Sequence, residues 1–420
     1  MNILMMTNTF APHIGGVARS VECFSNEFRS RGHDVLVVAP TYDKLPEQET
    51  GVVRVPAVQN FNGSDFSVAL PLSDLMSDAI DDFAPDIVHA HHPFLLGGTA
   101  LRIAHIHELP LVFTHHTMYE QYTHYVPGNS KKLQQFAMKL STSYANLCNL
   151  VFAPSESVAS IIKDRGVSTP VKIVPTGVEC RKFDCGSGSG FRDAMGIPQD
   201  SFIIGHLGRL APEKNLEFLA KAVVQYLLNN KKARFLLIGL GPSEKTVRKI
   251  FADHNLGNRL HIAHALEHPL LASAYKAMDL FAFCSKSETQ GMVLTEAMAA
   301  ATPVIALDAP GVREVVMDTE NGRLIKGDSL EEFVDALDWL FTLPEARRRE
   351  VQQMAKQTAR KFSMERTAAT ALGHYEELLS KGFAAAKEQH CSNWQTAQRL
   401  FRIEWNIFKN VIDAAISSNT

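Results

Sequence analysis

Short apolar runs alternate along the chain with longer stretches whose apolar positions recur at helical spacing. Ile3–Met6 is followed by a loop, a helical stretch over Val17–Arg31 and the apolar run Val35–Ala39. This alternation predicts βαβ units and a parallel sheet. Further buried strands are expected at Val52–Val55, Ile87–Ala90, Leu111–Thr114, Leu150–Ala153 and Lys172–Val174, enough for one doubly wound domain. The pattern restarts at Phe202–Leu207 and continues through Phe235–Ile238, Leu260–Ile262, Leu280–Phe283, Pro303–Leu307 and Gly322–Ile325, which predicts a second α/β domain.

Between the halves lies Lys182–Gly196, whose core Cys185-Gly-Ser-Gly-Ser-Gly190 has the composition of a flexible connection. The expected organisation is therefore a Rossmann-like domain over 1–180, a link over 181–200, a second Rossmann-like domain over 201–363, and C-terminal helices over 364–420 that return to the first domain. In the last of these, Asn393–Ile416, Leu400, Ile403, Ile407, Phe408 and Val411 recur at helical spacing. That segment either docks on the body or lies on a membrane surface or oligomer interface with Arg399, Arg402 and Lys409 outward.

At 420 residues, with 45% hydrophobic and 21% charged residues and a net charge of -3, the chain has room for two ordinary cores and no electrostatic footprint for nucleic acid. The six cysteines show no CxxC pair and no Cys/His ligand spacing, so reduced thiols are expected rather than a metal site. The opening MNILMMTNTF lacks the basic flank and long apolar stretch of a signal peptide, and no apolar run is long enough to span a bilayer. The expected location is cytoplasmic, with peripheral attachment to the inner face of the membrane left open.

Candidate chemistry falls on the loops that follow strands. Gly15-Gly16 leads into a helix, so peptide N–H groups and the positive helix end can face a phosphate; equally, two glycines can simply serve a tight turn. The spaced GxGxxG of a dinucleotide fingerprint is missing from that loop. After Phe202–Leu207, Gly208-Arg209-Leu-Ala-Pro-Glu213-Lys214-Asn215 sets two cations at the carboxyl edge of a parallel sheet, either to hold a diphosphate or as a solvated loop with a local Glu213–Lys214 pair. In Ser287-Glu288-Thr-Gln-Gly291-Met292-Val293-Leu-Thr-Glu296, Glu288 can accept from sugar hydroxyls and Glu296 from ribose hydroxyls, with the N–H groups of Gly291, Met292 and Val293 turned to phosphates. The plainer reading of this stretch is an acidic helix start.

These three motifs, in this order, resemble the family 4 glycosyltransferases of GT-B fold over nearly all of residues 1–380. The resemblance implies two Rossmann-like domains facing across a cleft that closes on the donor, and no metal or other cofactor, in keeping with the lack of a DxD triplet. It implies that Gly15, Gly16, Arg209, Lys214, Glu288, Gly291, Met292, Val293 and Glu296 bind a nucleotide-diphosphate sugar, with Arg209 and Lys214 on the diphosphate, Glu288 on the sugar and Glu296 on the ribose. It further implies transfer with retained anomeric configuration. His116, in Phe113-Thr-His115-His116-Thr117-Met-Tyr119-Glu-Gln-Tyr122, corresponds to the family's histidine near the transferred sugar and the acceptor, and with Tyr119 and Tyr122 it makes the acceptor side. His116, Arg209, Lys214 and Glu288 are the expected catalytic set.

His116-Thr-Met-Tyr119-Glu with Glu288-Thr-Gln-Gly291 is most similar to bacterial enzymes that transfer glucose to diacylglycerol, which implies UDP-glucose as the favoured donor and a lipid in an anionic membrane as acceptor. Lys131–Cys148 reads as an amphipathic helix with the stripe Leu133, Phe136, Ala137, Leu140, Tyr144 and Leu147 and with Lys131, Lys132 and Lys139 on other faces. Such a helix either lies in a headgroup layer or packs on its own sheet. Phosphatidylinositol, a soluble sugar or a polysaccharide precursor are alternative acceptors, and a non-catalytic nucleotide-sugar-binding module is the alternative of another class. The sequence sets no oligomeric state.

Overall fold

The computed structural model describes residues 1–58, 68–69, 74–121 and 130–380. Tyr122 and the segment 393–416 lie outside the described residues. The described residues divide into two compact units, those of Met1–Thr176 together with the helical residues from Thr367 to Ser380, and those of Gly177–Arg366.

In the first unit, β1 (Asn2–Met6), β2 (Asp34–Pro40), β3 (Val52–Val55), β6 (Ile87–Ala90), β7 (Leu111–Thr114), β8 (Leu150–Ala153) and β9 (Val171–Ile173) form one sheet in the order β3-β2-β1-β6-β7-β8-β9, while β4 (Ala57–Val58) and β5 (Val68–Ala69) pair separately. Every pairing in the large sheet is parallel. The crossovers are α1 (Gly16–Ser30), α2 (Asp74–Phe83), α3 (Leu96–Ile106), α4 (Lys131–Ala145) and α5 (Glu156–Asp164). Strand β6 is buried along its whole length, as a parallel strand covered on both faces should be. Strand order reverses between β1 and β6, the place where loops leaving two adjacent carboxyl ends part and α/β sheets take their ligands.

The second unit repeats the design with β10 (Phe202–Leu207), β11 (Ala233–Ile238), β12 (Leu260–Ala263), β13 (Leu280–Phe283), β14 (Val304–Leu307) and β15 (Gly322–Ile325), all parallel, in the order β12-β11-β10-β13-β14-β15. Its helices are α6 (Gly188–Ala194), α7 (Leu216–Asn229), α8 (Glu244–Asp253), α9 (Leu270–Ala277), α10 (Met292–Ala299), α11 (Leu330–Thr342) and α12 (Glu345–Lys361). Order here reverses between β10 and β13. The last described helix, α13 (Met364–Ser380), belongs to the first unit from Thr367 on. There Tyr375 is fully buried against Phe28 and Phe152 and its hydroxyl meets His89 Nδ1 at 2.6 Å.

The glycine-serine stretch departs from expectation. It contains helix α6, capped by the Ser187 hydroxyl, which accepts from Gly190 N–H at 3.0 Å. A Cβ at Gly188 would lie 2.4 Å from the Lys276 carbonyl oxygen, so the small residues allow close packing against α9 rather than looseness. The division between the units falls earlier, at Thr176–Gly177.

Backbone contact also shapes the loop that leaves β10. Gly208 N–H donates to Ile238 O at 3.0 Å, Leu210 N–H to Leu240 O at 2.8 Å, and Ser243 N–H to Leu210 O at 2.8 Å, lacing this loop to the one after β11. Gly239 sits at φ +141°, and a Cβ there would fall 1.9 Å from Gly208 O. Gly239→Ala is therefore expected to cost the second unit roughly 2–4 kcal/mol through backbone strain and displacement. Calorimetric melting that matches wild type would contradict that reading.

Burial holds His89 and His92 down to a pKa of about 3 and His115 to about 4, against an ordinary 6.5, each being shut inside the first unit. Below pH 6.5 the unfolded chain takes up protons that the folded unit refuses, so the stability these residues contribute is present above 6.5 and lost as pH falls towards 3–4. At pH 5 the loss is expected to reach roughly 2 kcal/mol per histidine. Urea unfolding followed at pH 7 and pH 5 checks this, and a first-unit midpoint that does not move contradicts it.

Candidate functional site

In the second unit the reversal between β10 and β13 brings distant sequence together. The 3-10 turn Pro212–Lys214 follows β10, and Ser285–Gly291 follows β13. Lys214 Nζ donates to Glu288 Oε1, and both side chains are mostly buried, at 17% and 14% exposure. Burial pushes the Glu288 carboxyl up, but the ammonium of Lys214, hydrogen bonds from Lys214 and Ser285, and the nearby His206 outweigh it and leave the group below the usual carboxylate range. Glu288 is thus an ionised acceptor and Lys214 a charged donor, held against each other.

Arg209 Nη2 reaches Glu213 Oε1 at 2.9 Å, with the guanidinium 40% exposed and the carboxylate 8% exposed. Beside the local Glu213–Lys214 pair considered from sequence, the structure shows two others, Arg209–Glu213 and Lys214–Glu288. Asn215, at φ 54°, closes the turn that carries both Glu213 and Lys214. Gly291, at φ 69°, occupies the N-cap of α10, so Met292 and Val293 open the helix with their N–H groups at its positive end. Glu296 lies further along α10 and accepts from the Tyr275 hydroxyl at 2.9 Å. Cations, a carboxylate and a helix N-terminus at one sheet edge can bind a phosphorylated, hydroxyl-rich ligand.

In the first unit Gly15 is the N-cap of α1 and Gly16 its first residue. Gly15 has extended backbone at φ -168°, a conformation open to any residue, and a Cβ on Gly16 would meet nothing within 4 Å. A Cβ on Gly15 would lie 3.0 Å from His13 Nε2, so the local packing favours glycine there, whereas Gly16 answers no steric demand of the turn. Asn8 stitches this loop to the one after β6: its N–H donates to His92 Nδ1 at 3.1 Å, its Nδ2 to Phe94 O at 3.0 Å, and its Oδ1 accepts from Leu96 N–H at 3.1 Å.

His116 lies just past β7, its Nε2 2.9 Å from Nδ1 of His91. Burial first, then His91, His92 and His115, hold its pKa well below the ordinary 6.5. His115 points the other way, to the Ser141 hydroxyl at 3.0 Å on α4. Tyr119 packs its ring on Phe94 and His115, and its buried hydroxyl has no partner among the described residues. Helix α4 starts at the Ser130 cap; Ser141, Tyr144 and Ala145 are buried, whereas Leu133, Phe136 and Ala137 stay partly exposed. The two readings of this helix thus divide along its length, the C-terminal turns packing on the unit and the N-terminal turns keeping an apolar stripe partly in the open.

Each unit gathers its own share of the expected residues: Arg209, Lys214, Glu288, Gly291, Met292, Val293 and Glu296 in the second, and Gly15, Gly16, His116 and Tyr119 in the first. Sequence reading missed Ser285, Tyr275, Asn8 and His91, whose partners are remote along the chain. It also passed over Gly239-Leu-Gly241 directly after β11, a glycine spacing after a strand that could have signalled the close approach described above. Among the described residues no group of three or more His, Cys, Asp or Glu is arranged to hold a metal ion, and no helix is long and apolar enough to cross a membrane.

Comparison with known proteins accounts for both units. The Glycosyltransferase Family 4 domain matches residues 14–182 and the Glycosyl transferases group 1 domain residues 190–361. The alpha-monoglucosyldiacylglycerol synthase of Streptococcus pneumoniae is 27% identical over 78% of this chain and 76% of its own length. A GDP-mannose-dependent alpha-mannosyltransferase of Corynebacterium glutamicum is 27% identical over 90% of each. In structure, the Anabaena protein HepE, solved in complex with UDP-glucose, aligns at a TM-score of 0.70 with 20% identity, covering 89% of this chain and 99% of that one. With a family 4 domain in its first half and a group 1 domain in its second, the chain belongs to the family 4 glycosyltransferases and has the GT-B fold.

Proposed function

We propose that the protein transfers glucose from UDP-glucose to the hydroxyl of a membrane lipid such as diacylglycerol, with retention at the anomeric carbon. The observation that carries the reading is the Lys214–Glu288 pair at the carboxyl edge between β10 and β13, beside the N-terminus of α10. When donor binds, the ammonium and Arg209 take the diphosphate, the N–H groups of Met292 and Val293 support it, and Glu288 accepts from sugar hydroxyls. Glu296, oriented by Tyr275, takes the ribose. The lack of any packing demand at Gly16 fits a loop kept bare for a ligand.

Chemically, the bond between the anomeric carbon and the diphosphate oxygen breaks and its electron pair leaves with UDP. The lipid hydroxyl bonds to the same face of the sugar, and its proton passes to the departing diphosphate. Arg209 and Lys214 stabilise the charge that grows on that oxygen. His116 lies beside the transferred sugar and, with Tyr119 and Tyr122, provides the acceptor side from the first unit. The lipid acceptor is supported by the pneumococcal relative, an alpha-monoglucosyldiacylglycerol synthase, and by the partly exposed stripe at the start of α4, with Lys131 and Lys132 exposed beside it. The corynebacterial relative makes GDP-mannose the competing donor. Phosphatidylinositol, soluble sugars and polysaccharide precursors compete as acceptors.

The decisive assay offers labelled UDP- and GDP-sugars, with chelator present, to anionic vesicles containing diacylglycerol and in parallel to soluble acceptors. Label in the lipid is expected from UDP-glucose, with the α-linkage read from the anomeric coupling, and Glu288→Gln is expected to lower kcat/KM by roughly 100- to 1000-fold. Label confined to soluble product discards the lipid acceptor, and binding without transfer from any donor leaves a nucleotide-sugar-binding module. The double variant Leu133→Ser/Phe136→Ser is expected to lower co-sedimentation with anionic vesicles by roughly tenfold while leaving UDP affinity at its wild-type value. Unchanged sedimentation would remove α4 from the membrane contact.

A further inference from the structure

Two buried histidines of the first unit share one hydrogen bond, and the position of its proton decides what the site can do. His91 is fully buried, its Nδ1 lies 2.9 Å from Nε2 of His116, and the ring planes are 23° apart. Burial first and neighbouring imidazoles second keep both pKa values well below 6.5, so at neutral pH both rings are uncharged and each carries one N–H. If His116 donates from Nε2, the proton of His91 must sit on its own Nε2, which is buried and has no partner among the described residues. That arrangement strands an N–H in the interior. If His91 donates from Nδ1 instead, its Nε2 holds only a lone pair. Stranded N–H groups are the rarer and costlier of the two, so the second arrangement lies lower.

His89 does not disturb this choice. Its ring lies against His91 with centroids 4.2 Å apart, but its Nδ1 is engaged by Tyr375 and its Nε2 by Thr114, each at 2.6 Å. We propose that His91 is a positioning residue whose Nδ1–H, donated to His116 Nε2, fixes His116 with its own proton on Nδ1 and makes it a hydrogen-bond donor, not a proton acceptor, in the transfer reaction. This inference rests on the placement of His116 beside the reacting sugar under the proposed function. A donor there can bind a sugar oxygen, and the acceptor's proton has to leave by the diphosphate.

Long-range proton–nitrogen correlation on protein labelled with 15N-histidine reads the tautomers directly at neutral pH, with His91→Asn and His116→Gln assigning the signals. His116 is expected to show a protonated Nδ1 and a bare Nε2, and His91 a bare Nε2; a His116 ring protonated on Nε2 overturns the proposal. In the transfer assay His91→Leu is expected to lower kcat by at least about tenfold with donor KM little changed, because the tautomer is no longer held. His91→Asn, whose amide N–H can donate to the same nitrogen, is expected to recover most of that rate. Equal losses in the two variants give His91 a packing role only and sink the idea. Full activity in His116→Gln would instead defeat the placement of His116 in the reaction, while the spectra still decide which ring owns the shared proton.

Discussion

Holding an ammonium against a carboxylate in a mostly buried setting is the constraint on which the second unit is organised. Lys214 and Glu288 come from loops 74 residues apart, and only the parallel pairing of β10 with β13 makes them neighbours. Removing one partner of a pair this buried leaves a charge without compensation, which is why such pairs are costly to break even when their net contribution to stability is small. A ligand that carries both a diphosphate and sugar hydroxyls compensates both at once. Under the proposed function, donor binding exchanges each partner of the pair for a group of the ligand.

Around that pair the chain is laced by backbone rather than by long side chains. The loop after β10 is tied to the loop after β11 by three backbone hydrogen bonds, and Gly239 leaves the room they need. Ser285 and His206 tune Glu288 from beneath, and Tyr275 orients Glu296. The first unit uses a different strategy. Its corresponding edge is built from imidazoles kept neutral by burial, so it contributes hydrogen bonds of fixed direction where the second unit contributes charge. Such a division suits a reaction whose negative charge grows on a diphosphate while its acceptor is a neutral hydroxyl.

Much of this architecture was legible in the sequence, because buried parallel strands are unbroken apolar runs. Leu150–Ala153 and Leu280–Phe283 coincide with β8 and β13, and Lys172–Val174 is displaced by one residue from β9. The motif residues fell at the carboxyl edges for the same reason, since each directly follows such a run. Composition misled at 185–190, where glycine reads as freedom in sequence and serves close packing of α6 on α9 in the fold. The partners of Glu213 and Lys214 could not be read from their adjacency, since the fold pairs Glu213 with Arg209 and Lys214 with Glu288. His91 and Tyr275 were invisible because their meaning lies in contacts between distant segments, which spacing along the chain does not encode. The adjacent glycines at 15 and 16 are the converse case: their role remained open until the backbone showed that the turn did not demand glycine at 16.

The proposed division of roles, Lys214 on the diphosphate and Glu288 on the sugar, is read from paired calorimetric titrations. UDP and UDP-glucose would each be titrated into wild type, Lys214→Met and Glu288→Gln. Lys214→Met is expected to weaken both ligands, whereas Glu288→Gln is expected to weaken UDP-glucose relative to UDP. A Glu288→Gln protein that binds the two ligands with the wild-type ratio of affinities would contradict that division.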